Sequence, residues 1–339
     1  MGEFAIDPIL SLPRVSLKDV HTIFKKWIYL EDTHRIDVAL AIRLIAKITG
    51  TRVWMIFVGP SGDWKSELLN AIIDDGKETK VIRNFTSKTL VNGNPNVADL
   101  APKLHNKTII IGDMAQLLKL HPNEKGEVWA QLRDLYDGFA GKQSGMGKDV
   151  EYKDLNVTLM AASTPAIDSQ ILIHQDLGTR ELIYRSEKIE KTKLMDKVWE
   201  NEKVEDIMKY ELREVIQKFL ASHEYDKDTK ISEKAVFQIK YLANKLSYFR
   251  APAESDRYTG DLINDVHPER PTRVLKQLKR LYIGLKSLDP DYEDDEVINV
   301  LKKIIKGSAF KIRNDVLEFL IKENDSWIHG QIQIKLQPS

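Results

Sequence analysis

Gly59-Pro-Ser-Gly-Asp-Trp-Lys-Ser66 follows an apolar run, Val53-Trp-Met-Ile-Phe-Val58, and precedes Glu67-Leu-Leu-Asn-Ala-Ile-Ile73. The first run reads as a buried strand and the last as the opening of a helix. A glycine-rich turn between strand and helix, ending in Lys-Ser, is the Walker A pattern of a phosphate-binding loop. Such a loop aims backbone N–H groups at phosphate oxygens, and the helix N-terminus adds partial positive charge. Gly59, Pro60, Ser61, Gly62, Asp63, Trp64, Lys65 and Ser66 are therefore expected to cradle a nucleotide. Lys65 is expected on the β- and γ-phosphates and Ser66 on Mg²⁺. One position departs from the pattern. Trp64 stands where glycine is usual, and glycine is favoured there because the backbone passes close to the phosphates. A tryptophan fits here only with ordinary backbone angles and a ring turned away from the nucleotide, towards a subunit interface or the base; otherwise triphosphate binding is expected to be impaired.

The bulk composition bounds the rest. The chain has 339 residues, 42% of them apolar, enough for a substantial core and more than one domain. Its 51 basic and 51 acidic side chains cancel. Strong non-specific attraction to nucleic acid is therefore no property of the whole chain, and any such contact must be local. There is no cysteine, which excludes disulfides, iron–sulfur clusters and thiolate zinc sites and fits a reducing, cytoplasmic setting. No apolar run reaches the length of a membrane span, so no membrane partner is expected. The opening Met1-Gly2-Glu3-Phe4 reads as a cloning remnant.

Outward from the loop, residues 16 to 50 read as helical, with Ser16 as a cap. Strands are expected at 53–58, 81–85, 108–112, 157–162 and 182–184. Helices are expected at 66–74 and 128–137. Short Ile- and Val-rich runs separated by helices argue for an α/β fold, a parallel sheet with helices on both faces. Beyond about residue 188 the strand signal ends. Amphipathic helices are expected at 193–221, 232–249, 271–288, 293–305 and 311–323, with boundaries near 188–192 and 288–292.

A phosphate loop needs an acid at the end of a neighbouring strand to complete the Mg²⁺ shell, and Ile109-Ile-Ile-Gly-Asp113 supplies it. Asp113 also suits a helix N-cap. Met114 follows, where the usual pattern has a water-polarising glutamate. The strand at 157–162 ends in Ser163-Thr-Pro165; either hydroxyl could orient the lytic water, or the segment is simply a turn before proline. Arg180 stands in Leu177-Gly-Thr-Arg-Glu-Leu182, placed either to reach a phosphate on another subunit or to pair with Glu181. Residues 139–152 look like a β-hairpin with a glycine-rich tip. Its Lys142 and Lys148, joined by Lys153, suit a nucleic-acid backbone or an ordinary solvated loop.

This ordered set resembles the AAA+ ATPases of the helicase branch that includes the minichromosome maintenance proteins. It resembles still more closely the replicative helicase-like ATPases of phages, plasmids and mobile elements. The matching stretches are 59–67, 113–118, 132–138, 164–168, 177–185 and Thr272-Arg-Val-Leu-Lys-Gln-Leu-Lys-Arg-Leu281. The resemblance implies Thr164 as the sensor 1 residue, Arg180 as an arginine finger acting in trans, and Arg273 as sensor 2. It implies that the 139–152 hairpin, with Lys142 and Lys148, lines a channel and touches DNA. The implied organisation is an N-terminal helical lead-in over 1–35, the AAA+ core over 36–190, a helical lid over 191–289, and a partial winged-helix segment or helical appendage over 290–339.

The function expected from this resemblance is an ATP-driven, ring-forming DNA helicase or translocase, a homo-oligomer expected to be a hexamer, with ATP and Mg²⁺ between subunits. The expected catalytic set is Lys65, Asp113, Thr164, Arg180 and Arg273. The alternative is a weakly hydrolysing or non-hydrolysing DNA-binding initiator or helicase loader, because Trp64 and Met114 both leave the usual pattern. With Met114 in place of the acid, Glu67 and the acids of the 127–137 helix stand as candidate bases.

Overall fold

The computed structural model describes residues 6–92, 96–142, 149–174, 179–187, 189–251, 259, 267–310 and 313–316. After a short 3-10 turn comes α1 (Leu17–Trp27), opened by a reciprocal capping box. In it the Ser16 hydroxyl accepts from Asp19 N at 3.2 Å and the Asp19 carboxylate accepts from Ser16 N at 2.9 Å. Next come α2 (His34–Ile45), β1 (Trp54–Val58), α3 (Lys65–Ile72), β2 (Thr79–Val81) and β3 (Lys107–Ile111). Then follow α4 (Ala115–Leu118), α5 (Pro122–Asp137), β4 (Ala140–Lys142), β5 (Val150–Tyr152), β6 (Val157–Ser163), α6 (Ile167–His174) and β7 (Glu181–Arg185). The remaining helices are α7 (Lys191–Asn201), α8 (Glu205–Ser222), α9 (Glu233–Phe249), α10 (Thr272–Lys286) and α11 (Asp294–Ser308).

Five strands form one all-parallel sheet in the order β2-β3-β6-β1-β7. The α/β expectation therefore holds. Every residue of β1 and β6 is buried, as a strand covered on both faces requires. Alternation divides them between two cores. Met55, Phe57, Met160, Leu182 and Tyr184 join α1, α2, α3 and the helices after residue 204. Trp54, Ile56, Val58, Leu159 and Ile183 join the layer of α4 and α5. The first core runs without interruption from Leu10 to Ala309, so the C-terminal helices share the packing of the sheet.

Two expected elements lie differently. The second strand occupies Thr79–Val81 rather than 81–85. Asp74 fixes its start, accepting from Thr79 N at 3.0 Å and from the Thr79 hydroxyl at 2.7 Å; Phe85 then leaves the sheet to fill the second core. The helix expected over 193–221 is two helices. The chain bends at a 3-10 turn, Glu202–Val204, where Val204 is buried. Thereafter α8 buries a regular face including Leu212, Val215, Ile216 and Phe219, whereas α7 has no buried residue. Of the helix expected over 311–323, residues 313–316 are described and are helical.

Helix α2 is buried almost all round, with Arg35, Asp37 and Arg43 among its buried residues. Buried charges need partners, and each of these ties α2 to another element. Asp37 pairs with His21 of α1 at 2.5 Å and accepts from the Tyr292 hydroxyl at 2.9 Å. Arg43 reaches Asp74 at 3.2 Å and Glu78 at 3.0 Å. Arg35 belongs to the phosphate loop and is taken up below.

The outer edge of β7 is closed by α11. Ile183 N donates to the Ser308 hydroxyl at 2.7 Å, and Arg185 Nε donates to Gly307 O at 2.8 Å. A covered edge cannot template pairing with another chain. The approach depends on Gly307, because a Cβ there would lie 2.5 Å from Ile183 O. Gly307→Ala is expected to destabilise the protein by about 1–3 kcal/mol despite alanine's better helix propensity. Chemical denaturation checks this; unchanged or raised stability would show that the helix does not press on the strand.

Candidate nucleotide site

The loop leaves the carboxyl end of β1, the strand between β6 and β7. Gly59 N donates to Ser163 O at 3.1 Å, which joins the loop to the end of β6. A Cβ on Gly59 would collide with the Asp63 carboxylate and the Ser186 hydroxyl. Gly62 has φ +78°, a region open to glycine and costly to other residues. The loop then delivers Lys65 as the first residue of α3. Pro60, Ser61, Gly62 and Ser66 are exposed, while Asp63, Trp64 and Lys65 are buried.

Trp64 does not keep ordinary angles. Its φ is 26° and its ψ 17°, the left-handed region that costs an L-residue roughly 1–2 kcal/mol. The indole lies in the core, edge-on to Phe24 with centroids 6.2 Å apart. The Arg35 guanidinium sits 4.3 Å from its ring centroid. Burial of the ring and the cation–π contact offset the backbone cost.

Arg35 also holds the turn itself. It donates to Asp63 O and to Asp63 Oδ2, both at 3.0 Å, and to the Ser186 hydroxyl. Ser186 N and its hydroxyl in turn donate to Val58 O, at 2.9 and 3.1 Å. Arg35, Asp63, Trp64 and Ser186 thus form one buried knot beneath the loop. Arg35 and Ser186 were not foreseen as site residues. The available signal was the set of charged residues, Arg35, Asp37 and Arg43, in a helix whose other positions are mostly apolar.

Lys65 donates to Gly59 O at 3.0 Å and Pro60 O at 2.6 Å, within its own loop. Burial pushes its ammonium below the ordinary lysine range, and Asp63 beside it works in the opposite direction. The Ser66 hydroxyl reaches Gly112 O at 3.4 Å, which sets it beside the exposed Asp113 at the end of β3. The Asp113 carboxylate accepts from Ala115 N at 2.8 Å, so Asp113 also caps the turn into α4. A hydroxyl and a carboxylate at one open edge fit Mg²⁺, which takes one or two protein ligands together with phosphates and water. Thr164 is half-buried at the end of β6, between the loop strand and the Asp113 strand. Ser163 is buried and donates to Thr164 O at 3.1 Å, leaving Thr164 as the hydroxyl nearer the open edge. Met114 points into the second core, and its N–H donates to Ala162 O at 2.9 Å. Glu67 is the candidate base close enough to Lys65 to act on its charge.

The two arginines lie elsewhere. β1 and β7 are parallel, with Trp54 opposite Glu181 and Val58 opposite Arg185. Arg180 therefore precedes the amino end of β7, while the loop follows the carboxyl end of β1. Five strand positions at about 3.3 Å each separate them by roughly 17 Å. Arg180 pairs with Asp137 at 2.8 Å rather than through its side chain with Glu181, whose carboxylate accepts from Arg180 N at 3.2 Å. Arg273 donates to Thr179 O at 3.0 Å, and Gln277 donates to Arg180 O at 2.7 Å. Lys65, Ser66, Asp113 and Thr164 are brought to one edge of the sheet; Arg180 and Arg273 share the opposite one.

The hairpin strands β4 and β5 pair antiparallel, with Lys142 opposite Val150. Lys142 is half-buried, and Lys153 pairs with Glu151 at 3.0 Å. Lys148 lies outside the described residues. No helix among the described residues is long and apolar enough to cross a membrane. In comparisons with known proteins, no family model and no curated protein matches the chain.

Truncating Arg35 removes the guanidinium that is hydrogen-bonded to the buried Asp63 carboxylate and leaves Lys65, 4.0 Å away, as its remaining cation. Arg35→Ala is expected to lose about 3–5 kcal/mol in urea or guanidinium unfolding. Arg35→Lys should recover part of this, since it keeps charge but not the two-pronged donation. Equal losses for both would mean that charge plays no part in the knot.

Proposed function

We propose that the chain is a nucleoside triphosphatase that binds ATP·Mg²⁺ at the Gly59–Ser66 loop and completes its site with Arg180 and Arg273 from a second copy. The observation that carries this reading is the placement of the loop, Asp113 and Thr164 at the carboxyl ends of three adjacent parallel strands. Ligands of open parallel sheets bind at that edge. The strand order, with β6 inserted between the loop strand and the Asp113 strand, supports a helicase-type AAA+ ATPase whose α7–α10 act as the lid. In this reading Lys65 leaves the Gly59 and Pro60 carbonyls for the β- and γ-phosphates, and Ser66 and Asp113 hold the metal. Thr164 orients the attacking water, and Glu67 accepts its proton. Arg180 stabilises charge developing on the γ-phosphate, since phosphoryl transfer is mostly positioning and electrostatics. The β4–β5 hairpin then carries Lys142 and Lys148 to DNA, and turnover moves the hairpin along a strand inside a homo-oligomeric, hexameric ring. The 290–339 segment is the beginning of a winged helix.

The second reading is an ATP-dependent initiator or loader that binds but scarcely hydrolyses. Met114 favours it, because its side chain is buried and the backbone there aims into the core where an acid would have to face the phosphates.

Steady-state ATPase measured with and without single-stranded DNA separates the two. DNA-stimulated turnover supports the motor, and binding without turnover supports the loader. For the motor, Arg180→Ala should bind ATP normally and lose turnover by roughly 10³–10⁵-fold. Mixing it with a Lys65→Ala variant should restore part of the activity, because some junctions then combine an intact loop with an intact arginine. Full turnover by Arg180→Ala alone would sink the trans assignment.

A further inference from the structure

Helix α9 leaves an aromatic stripe in water. It buries Ala235, Ile239, Leu242 and Leu246 in the first core. Its outer side presents Phe237, Tyr241 and Tyr248 at helical spacing. Phe237 is 69% exposed. Rings gathered on one face make contiguous apolar surface, which marks a docking site more than scattered residues do.

The chain that follows α11 arrives at the end of this stripe. Residues 313–316 are helical. Arg313 donates to Tyr248 O at 3.2 Å and to Phe249 O at 2.8 Å, and Asn314 Nδ2 donates to Lys306 O at 2.7 Å. These bonds fix the way out of α11 against the carboxyl end of α9. Val316 comes next and is 42% exposed. Helix α7 also exposes Met195, Val198 and Trp199, but it follows the carboxyl end of β7. α9 ends instead at Arg250, which donates to Glu181 O, at the amino end of that strand, at 2.7 Å. Of the two exposed faces, that of α9 is the one beside the anchored residues 313–316.

Residues 317–336 lie outside the described residues, and their sequence supplies what the stripe lacks. Val316-Leu-Glu-Phe-Leu-Ile321 is apolar at all but one position, and Trp327-Ile328 and the alternating Ile332, Ile334 and Leu336 follow. The helical repeat expected over 311–323 puts Phe319 and Leu320 on the side that Val316 opens. Apolar side chains at this density gain by leaving water. The stripe from Phe237 to Tyr248 is about 17 Å long, and residues 317–336 reach about 30 Å even when wholly helical. A segment tethered at Arg313 also meets the face at a high effective concentration, ahead of any separate molecule.

We infer that residues 317–336 fold back along α9 and cover its Phe237–Tyr241–Tyr248 face within the same chain. Arg313 sets the starting point, the Val316 side of the segment turns to the rings, and Phe319 and Leu320 bury against Tyr248 and Tyr241. Rings of this size make most of their contribution through the area they bury. The inference does not depend on nucleotide binding, since it uses neither the Gly59–Ser66 loop nor Arg180.

The test uses the full chain, which has no cysteine, so a single introduced thiol is unique. Tyr241→Cys is labelled with a benzophenone maleimide, irradiated, and its products are mapped by mass spectrometry. The expected product joins position 241 to residues 317–336 of the same chain, in a yield independent of protein concentration. Products confined to another part of the chain, or to a second copy, would overturn the inference. The free thiol of Tyr241→Cys should also react with a soluble maleimide about tenfold more slowly than that of Trp199→Cys on the open α7 face. Adding Phe319→Asp and Leu320→Asp should abolish that difference and leave the Trp199→Cys rate unchanged. Equal rates at the outset, or protection that survives both tail substitutions, would each overturn the inference. So would protection that appears only when a single-stranded oligonucleotide is added, which would assign the face to nucleic acid. The crosslink is made with the segment unaltered, so it decides the question even if the tail substitutions destabilise the chain.

Discussion

The geometry of the Gly59–Ser66 loop depends on one buried arginine. Arg35 enters from α2 and meets three things at once: the Asp63 backbone and carboxylate, the Ser186 hydroxyl, and the face of the Trp64 ring. Two of these belong to the turn and one to the segment after β7. The guanidinium therefore couples the loop to the edge strand and to the α2 layer through a single rigid fork. A buried ion pair contributes little net stability by itself, but it strongly penalises structures in which one partner is exposed to an apolar environment alone. The loop is consequently specified by what would be unsatisfied if it moved.

That coupling explains how tryptophan occupies a position that favours glycine. The left-handed angles at Trp64 demand a compensation, and glycine would meet the demand by having no side chain. Here the side chain supplies it by burial, wedged between Phe24 and Arg35. The backbone follows the course a glycine would give, while the ring is removed to the far side from Ser61, Gly62 and Ser66, which stay exposed. Gly59 and Gly62 cannot be replaced in the same way. Gly59 is crowded by Asp63 and Ser186, and nothing surrounds Gly62 that a side chain could pack against.

The strands were readable because each is a short apolar run whose alternation is local. The strand–turn–helix unit of β1, the Gly59–Trp64 turn and α3 was readable because its spacing is local too. What escaped the sequence was long-range. Arg35 gave no hint of its partner Asp63. The continuous periodicity over 193–221 hid a change of environment, because α7 and α8 share a helical repeat but only α8 has a core to face. Periodicity reports which residues lie on one side of a helix and is silent about whether anything covers that side. Asp113 shows a second limit. Its cap on Ala115 and its place beside Ser66 hold simultaneously, so readings that compete in sequence need not compete in structure.

The strand length sets the last constraint. Parallel pairing of β1 with β7 sends the phosphate loop to one end of the sheet and Arg180 to the other. Loop motion cannot bring them together, because both ends are fixed by strand register and Arg180 is further tied to Asp137, while Gln277 holds its backbone carbonyl. In the proposed reading, each end of the sheet carries half of an arginine-completed phosphate site, and completing it takes a second copy displaced along the direction that joins those ends, a directional rather than two-fold operation.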